Sequence, residues 1–116
     1  MSWRRRNCLY IGYRDEKGST HVEVDTRQLP LRLDLDNHSP DGFEWGYGGS
    51  GPAQLALALL AHATGDDEFA RKYHQRFKLS YVASLPQDEN WWIFAKEVRE
   101  RAKALSWASA LQDRQR

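Results

Sequence analysis

GFEWGYGGSGPAQLALALL, residues 42–60, carries an aromatic segment through a glycine cluster into an apolar run. Phe43, Trp45 and Tyr47 alternate with Glu44 and Gly46, the period of a short strand with one buried face. Gly46, Gly48, Gly49 and Gly51 free the backbone to turn sharply or to pass close to another group. Pro52 suits the first turn of a helix, with Gly51 or Ser50 as its cap. Residues 53–63 are nearly all Ala and Leu, and a helix with no polar face is a buried one. Whether its own chain or a second copy buries it is left open by the pattern.

The same junction can be read as an anion site. A glycine loop entering a helix N-terminus aims free N–H groups and the positive dipole end at one point, which makes Gly48, Gly49, Ser50 and Gly51 candidate ligand-binding residues for a nucleotide or phosphate. No Lys-Ser or Lys-Thr follows the glycines, and the spacing is not that of a dinucleotide fingerprint. Nor is GGSGP a nucleophile elbow, which needs the order G-x-S-x-G. A tight turn between strand and helix is the plainer reading.

With the Gly65-Asp66 pair, Tyr73, Phe77 and Lys78, and the run Val82-Ala83-Ser84-Leu85-Pro86, this stretch resembles the small proteins grouped as domain of unknown function family 6166. Residues 10–14 (YIGYR) and Leu29-Pro30-Leu31 fit as well, so the resemblance spans roughly residues 8 to 95. It implies no assigned activity and no catalytic residues. It also implies an origin in bacteria, phages and other mobile elements.

Outward from the centre, residues 8–13 read as a strand with Leu9, Ile11 and Tyr13 on one face. A turn at 15–19 leads to a second strand at 20–25 with Val22 and Val24 inward, forming a hairpin. Leu29, Leu31, Leu33 and Leu35 alternate with polar partners and predict a third strand over 29–36, with Pro30 pushing its start to an edge. Residues 37–42 are a turn. On the other side, Gly65 stops the first helix and Asp66 or Asp67 caps a second. Phe69, Tyr73 and Phe77 recur every four residues, and Tyr81 and Leu85 extend that stripe, so the second helix is expected to run to Pro86; a strand over 79–83 competes. Residues 87–90 are a loop. Trp91, Trp92, Ile93 and Phe94 are too many large apolar side chains in a row for all to be buried, which leaves at least one tryptophan exposed. Residues 95–111 are a helix with Val98, Ala102, Leu105, Ala108 and Leu111 on one face.

The fold class expected is α+β: a small antiparallel sheet packed on two or three C-terminal helices, in one domain over 1–116 with a basic arm at 1–7 and a loose tail at 112–116. The 41% hydrophobic content with five Trp supports a folded core, and a mean hydropathy of −0.78 with no long apolar run argues against a membrane span. One cysteine, Cys8, and no export signal predict a reducing, cytoplasmic setting.

Chemistry is sparse. His21, His38, His62 and His74 show no metal-ligand spacing with each other or with Cys8, and no metal or cofactor is expected. His62 reads as a hydrogen-bonded core histidine and Cys8 as a small buried residue. Asp34 and Asp36 on one strand face could hold a cation, but a solvated edge fits better. These observations predict a non-catalytic protein of a phage or mobile element that docks on a host or viral protein, with an inhibitor of a bacterial defence system such as an anti-CRISPR protein as one form. The candidate contacts are Trp91, Trp92, Trp3, Arg4, Arg5 and Arg6. Nucleic acid touched through Trp3 and the arginines is a further possibility, although 17 Lys and Arg against 16 Asp and Glu give no strong field.

Overall fold

A computed structural model of the chain describes residues 3 and 5–114, and the fold is α+β. Strands β1 (Leu9–Arg14) and β2 (Thr20–Val24) form the hairpin, and the turn between them is built on Asp15. Its carboxylate accepts from the N–H groups of Lys17 and Ser19, and Gly18 takes φ 83°. A second, tighter turn at Asp25 and Thr26, both at positive φ, leads into β3 (Arg27–Gln28). Helices α1 (Ser50–Thr64), α2 (Asp67–Ser80) and α3 (Ala95–Arg114) follow, and β4 (Trp91–Phe94) directly precedes α3. All strands are antiparallel, in the order β3-β2-β1-β4.

Helix α1 is the centre of the core. Every residue from Gly51 to Ala61 is buried, and the chain's own remaining elements cover it. Gly65 at φ 69° ends it, with its N–H on the Ala61 carbonyl, and Asp66 then caps α2 by accepting from Phe69 N–H. Phe69, Tyr73 and Phe77 on α2, Val98 and Ala102 on α3, and Tyr10, Val22, Val24, Trp91 and Ile93 from the sheet close around it. Trp45 and Trp91 meet edge to face at 5.6 Å beneath the sheet.

Three expectations are corrected. Residues 29–36 form no strand, because their backbone groups are used elsewhere. Pro30 has no N–H, Arg32 turns left-handed at φ 59°, and the carbonyls of Leu31 and Asp36 accept from the Gln54 side chain. Residues 43–47 keep the alternation of a strand, with Phe43 and Trp45 buried, but join no sheet. The Phe43 carbonyl accepts from the Thr20 hydroxyl, and Gly46 N–H donates to Val82. Helix α2 stops at Ser80 rather than Pro86, and a single 3₁₀ turn, Val82–Ser84, replaces both the longer helix and the competing strand. The aromatic run at Trp91–Phe94, to which the sequence assigned no element, is a strand paired to β1, although β2, β3, α1 and α2 all lie between the two in sequence.

The glycine junction is a close-packed turn. A Cβ on Gly46 would lie 2.6 Å from the Gln87 backbone, one on Gly49 2.4 Å from the Tyr47 ring, and one on Gly51 2.6 Å from Glu44. Glu44 is held in turn by Arg14, whose guanidinium grips both carboxylate oxygens and lies 4.9 Å over Trp45. Sheet, junction and α1 are thereby locked together by one β1 side chain.

Candidate functional site

Alternation along β1 and β4 divides the sheet into two unlike faces. Tyr10, Gly12, Trp91 and Ile93 point to the helices, and all are buried. A Cβ on Gly12 would lie 2.2 Å from the Trp91 indole, so only glycine lets that ring lie flat on the strand opposite. Leu9, Ile11 and Tyr13 do share a face, and it is the outer one. Across the β1/β4 ladder Leu9 is opposite Phe94 and Ile11 opposite Trp92. Trp92 is 66% exposed and meets Phe94 edge to face at 6.0 Å; Ile11 and Phe94 are exposed as well. Together the four line an apolar groove of about 350 Å³.

Toward β2 the same face becomes polar. Tyr13 donates its hydroxyl to Glu23 and stacks on His21 at 5.0 Å, and His21 contacts Asp15 at 2.9 Å. The outer sheet is thus an apolar half bordered by a hydrogen-bonded half.

The other expected contact residues lie elsewhere. Trp91 is in the core, Trp3 packs edge to face on Phe69 at 4.8 Å, and Arg4 is outside the described residues. The arm at Arg5 and Arg6 is tied down through its backbone: both carbonyls accept from Arg99, which also reaches Ala63 near the C-terminus of α1. Arg5 and Arg6 line a cavity of about 320 Å³ with Cys8, Tyr10, Asp25 and His62. Within it the Tyr10 hydroxyl and His62 Nδ1 lie 2.7 Å apart. Burial pushes the Tyr10 phenol well above its ordinary range and His62 below its own, so the phenol donates to a neutral imidazole. Burial, with the Asp25 carboxylate beside it, raises the Cys8 thiol too, which is the reverse of what a nucleophile needs.

A second polar cluster escaped the sequence reading. Gln54, 0% exposed in the N-terminal half of α1, makes four hydrogen bonds to the loop over residues 31–39. Its amide donates to the carbonyls of Leu31 and Asp36, and its oxygen accepts from His38 N–H and Ser39 N–H. The loop so held brings His38 Nε2 to 2.9 Å from His74 Nε2 on α2 and 3.3 Å from Asp36 Oδ2. Asp34 is not part of this cluster. The fork of Arg32 holds it together with Asp67, and that guanidinium keeps the Asp34 carboxyl below the usual carboxylate range. His38 and His74 stand 36 positions apart. Only the buried glutamine in an Ala/Leu helix signalled that a loop had to be bound there.

The family model described as a family of unknown function (DUF6166) matches residues 10–104. The chain belongs to this family. Its matched span holds all four strands of the sheet but for Leu9, the whole glycine junction, and α3 as far as its last buried residues. No curated protein and no solved structure matches the chain. Among the described residues no helix is long and apolar enough to cross a membrane.

Proposed function

We propose that this chain is a non-catalytic binding protein that docks on another protein through the outer face of β1 and β4. The observation that supports this reading is the cluster of exposed Ile11, Trp92 and Phe94 with half-buried Leu9. Large apolar side chains grouped on a surface, rather than scattered singly, mark interaction sites, and Trp is the residue most enriched among energetic anchors. The polar rim supplied by Tyr13, His21 and Glu23 is what a protein interface places around such an anchor. Four apolar side chains are too few for the broad apolar face of an obligate dimer, which favours a different protein carrying a complementary apolar knob.

The test compares the intact chain with Trp92→Ser and with Trp107→Ser, an equally exposed tryptophan on α3, in quantitative affinity capture and in sedimentation. A protein partner retained by the intact chain and by Trp107→Ser, but released by folded Trp92→Ser, supports the reading. A dimer of the intact chain that Trp92→Ser dissociates would replace the foreign partner with a second copy. Equal capture by all three chains would sink the proposal.

A further inference from the structure

We propose that Asp36, His38 and His74 form a binding site for one divalent transition-metal ion of the Zn²⁺ type, which clips the loop after β3 to α2. The donor atoms of the three side chains all lie within 4.8 Å of one another. Zn²⁺ bonds of about 2.0–2.2 Å in a tetrahedron set its donors about 3.3 Å apart. The His38 to Asp36 separation is 3.3 Å, the His38 to His74 separation is 2.9 Å and the Asp36 to His74 separation is within 4.8 Å, so the imidazoles need to part by a few tenths of an ångström and the half-exposed Asp36 carboxylate needs to swing toward His74. Two imidazole nitrogens and one carboxylate oxygen suit an ion of intermediate softness, with water in the fourth position.

The surroundings prepare these donors independently of the distances. His74 is 4% exposed, and its Nδ1 lies 3.0 Å and 2.8 Å from the carbonyls of Ala70 and Arg71. Carbonyls only accept, so Nδ1 carries the proton, and the lone pair is left on Nε2, aimed at His38 and Asp36. That is how metal-binding histidines are held by their outer partners. Asp36 and His38 are fixed through their own backbones by the single buried Gln54. Two ligands from one clamped loop and one from a helix make a preformed site. Without an ion, His38 Nε2–H donates to His74 Nε2; with an ion, His38 takes the other neutral tautomer, its proton on Nδ1 and its Nε2 lone pair on the metal.

The experiment uses the tag-free full chain, freed of metal with a chelator that is then removed, and titrates it with Co²⁺ and Zn²⁺. The expected result is a visible d–d absorption of low-coordinate Co²⁺ that saturates at one equivalent, is abolished by Zn²⁺, and accompanies a rise in Tm. His38→Ala and Asp36→Asn, both at solvent-accessible side chains, leave the fold intact and weaken binding by more than the roughly 100-fold that loss of an outer-shell partner costs. His21→Ala, on the far side of the sheet hairpin, binds as the intact chain does. His74→Ala can fail to fold without affecting the test, because the other two variants carry it. Absence of a saturable Co²⁺ band, or equal binding by His38→Ala and the intact chain, would overturn the proposal and leave the pair as a histidine–histidine hydrogen bond.

Discussion

At the scale of single residues, two positions hold more structure than their type suggests. Gly12 lies under the Trp91 indole, and the methyl group of Gly12→Ala would meet the ring at 2.2 Å. The ring cannot move inward, because Trp45 already stands edge-on to it. Gly12→Ala is therefore expected to cost about 3 kcal/mol, the upper range for overpacking a tight core. Urea unfolding with a near-ultraviolet spectrum to follow the tryptophans measures this; a loss under about 0.5 kcal/mol, ordinary for a surface change, would show that the ring has room. Gln54→Leu keeps the volume of the side chain but strands two N–H and two C=O groups of the loop, for an expected loss of roughly 2–4 kcal/mol. Hydrogen exchange should show the His38 and Ser39 amides losing protection while those of α1 retain it; unchanged protection would mean that water replaces the glutamine without cost. Neither role could be read from the sequence. A lone Gln among Ala and Leu announces a buried polar contact without naming its partner, and Gly12 makes sense only once Trp91 is known to lie opposite.

At the scale of elements, helices were legible where period and punctuation agreed. Gly65 and Asp66 mark the break between α1 and α2, and Phe69, Tyr73 and Phe77 define the buried stripe of α2. Strands were less legible, because alternation shows which side chains turn inward and not where the backbone finds its hydrogen bonds. Residues 29–36 and 43–47 alternate without pairing, while Trp91–Phe94 pairs with β1 although its four large apolar side chains hide the alternation. The turn at Asp25 and Thr26 was equally hidden. Both residues take positive φ, 52° and 66°, as a two-residue hairpin requires, but Thr is branched at Cβ and poorly suited to that region. Thr26→Gly gives the Asp-Gly pair that such turns favour. The left-handed strain of about 1–2 kcal/mol, less about 0.5–1 kcal/mol for the added freedom of glycine in the unfolded chain, leaves a net gain of roughly 0.5–1 kcal/mol. A higher urea midpoint with an unchanged slope is the expected outcome, and a lower midpoint would refute the turn assignment. Arg32 at φ 59° is a contrasting case, since its guanidinium ties Asp34 to Asp67 and glycine there would lose that fork.

At the scale of the whole molecule, buried and half-buried titratable groups limit stability from both sides of neutral pH. His62 is held below its ordinary 6.5 by burial and by Arg5, so the folded chain binds its proton later than the unfolded chain does. Between the folded value and 6.5 the unfolded state carries more protons, and stability falls as pH falls through that window. Tyr10 works from the other side. Burial raises its phenol, the unfolded chain ionises first above its ordinary 10.0, and stability falls as pH rises beyond that point. Cys8 adds to the alkaline loss from its ordinary 9.0 upward. The molecule should therefore be most stable between about pH 7 and pH 9, with the first acid loss, below pH 6.5, tied to His62 and a later one to the lowered carboxyls of Asp15 and Asp34. His62→Gln keeps a hydrogen-bond acceptor for the Tyr10 hydroxyl and removes the titration. Relative to this variant, the intact chain is expected to hold a constant stability difference above pH 7 and to lose ground steadily from pH 6.5 to pH 5. Unfolding free energies from urea, taken at half-unit steps across that range, decide the matter. Parallel profiles would mean that His62 is protonated as readily in the folded chain as in the unfolded one, and the hydrogen bond from Tyr10 to a neutral imidazole would have to be abandoned.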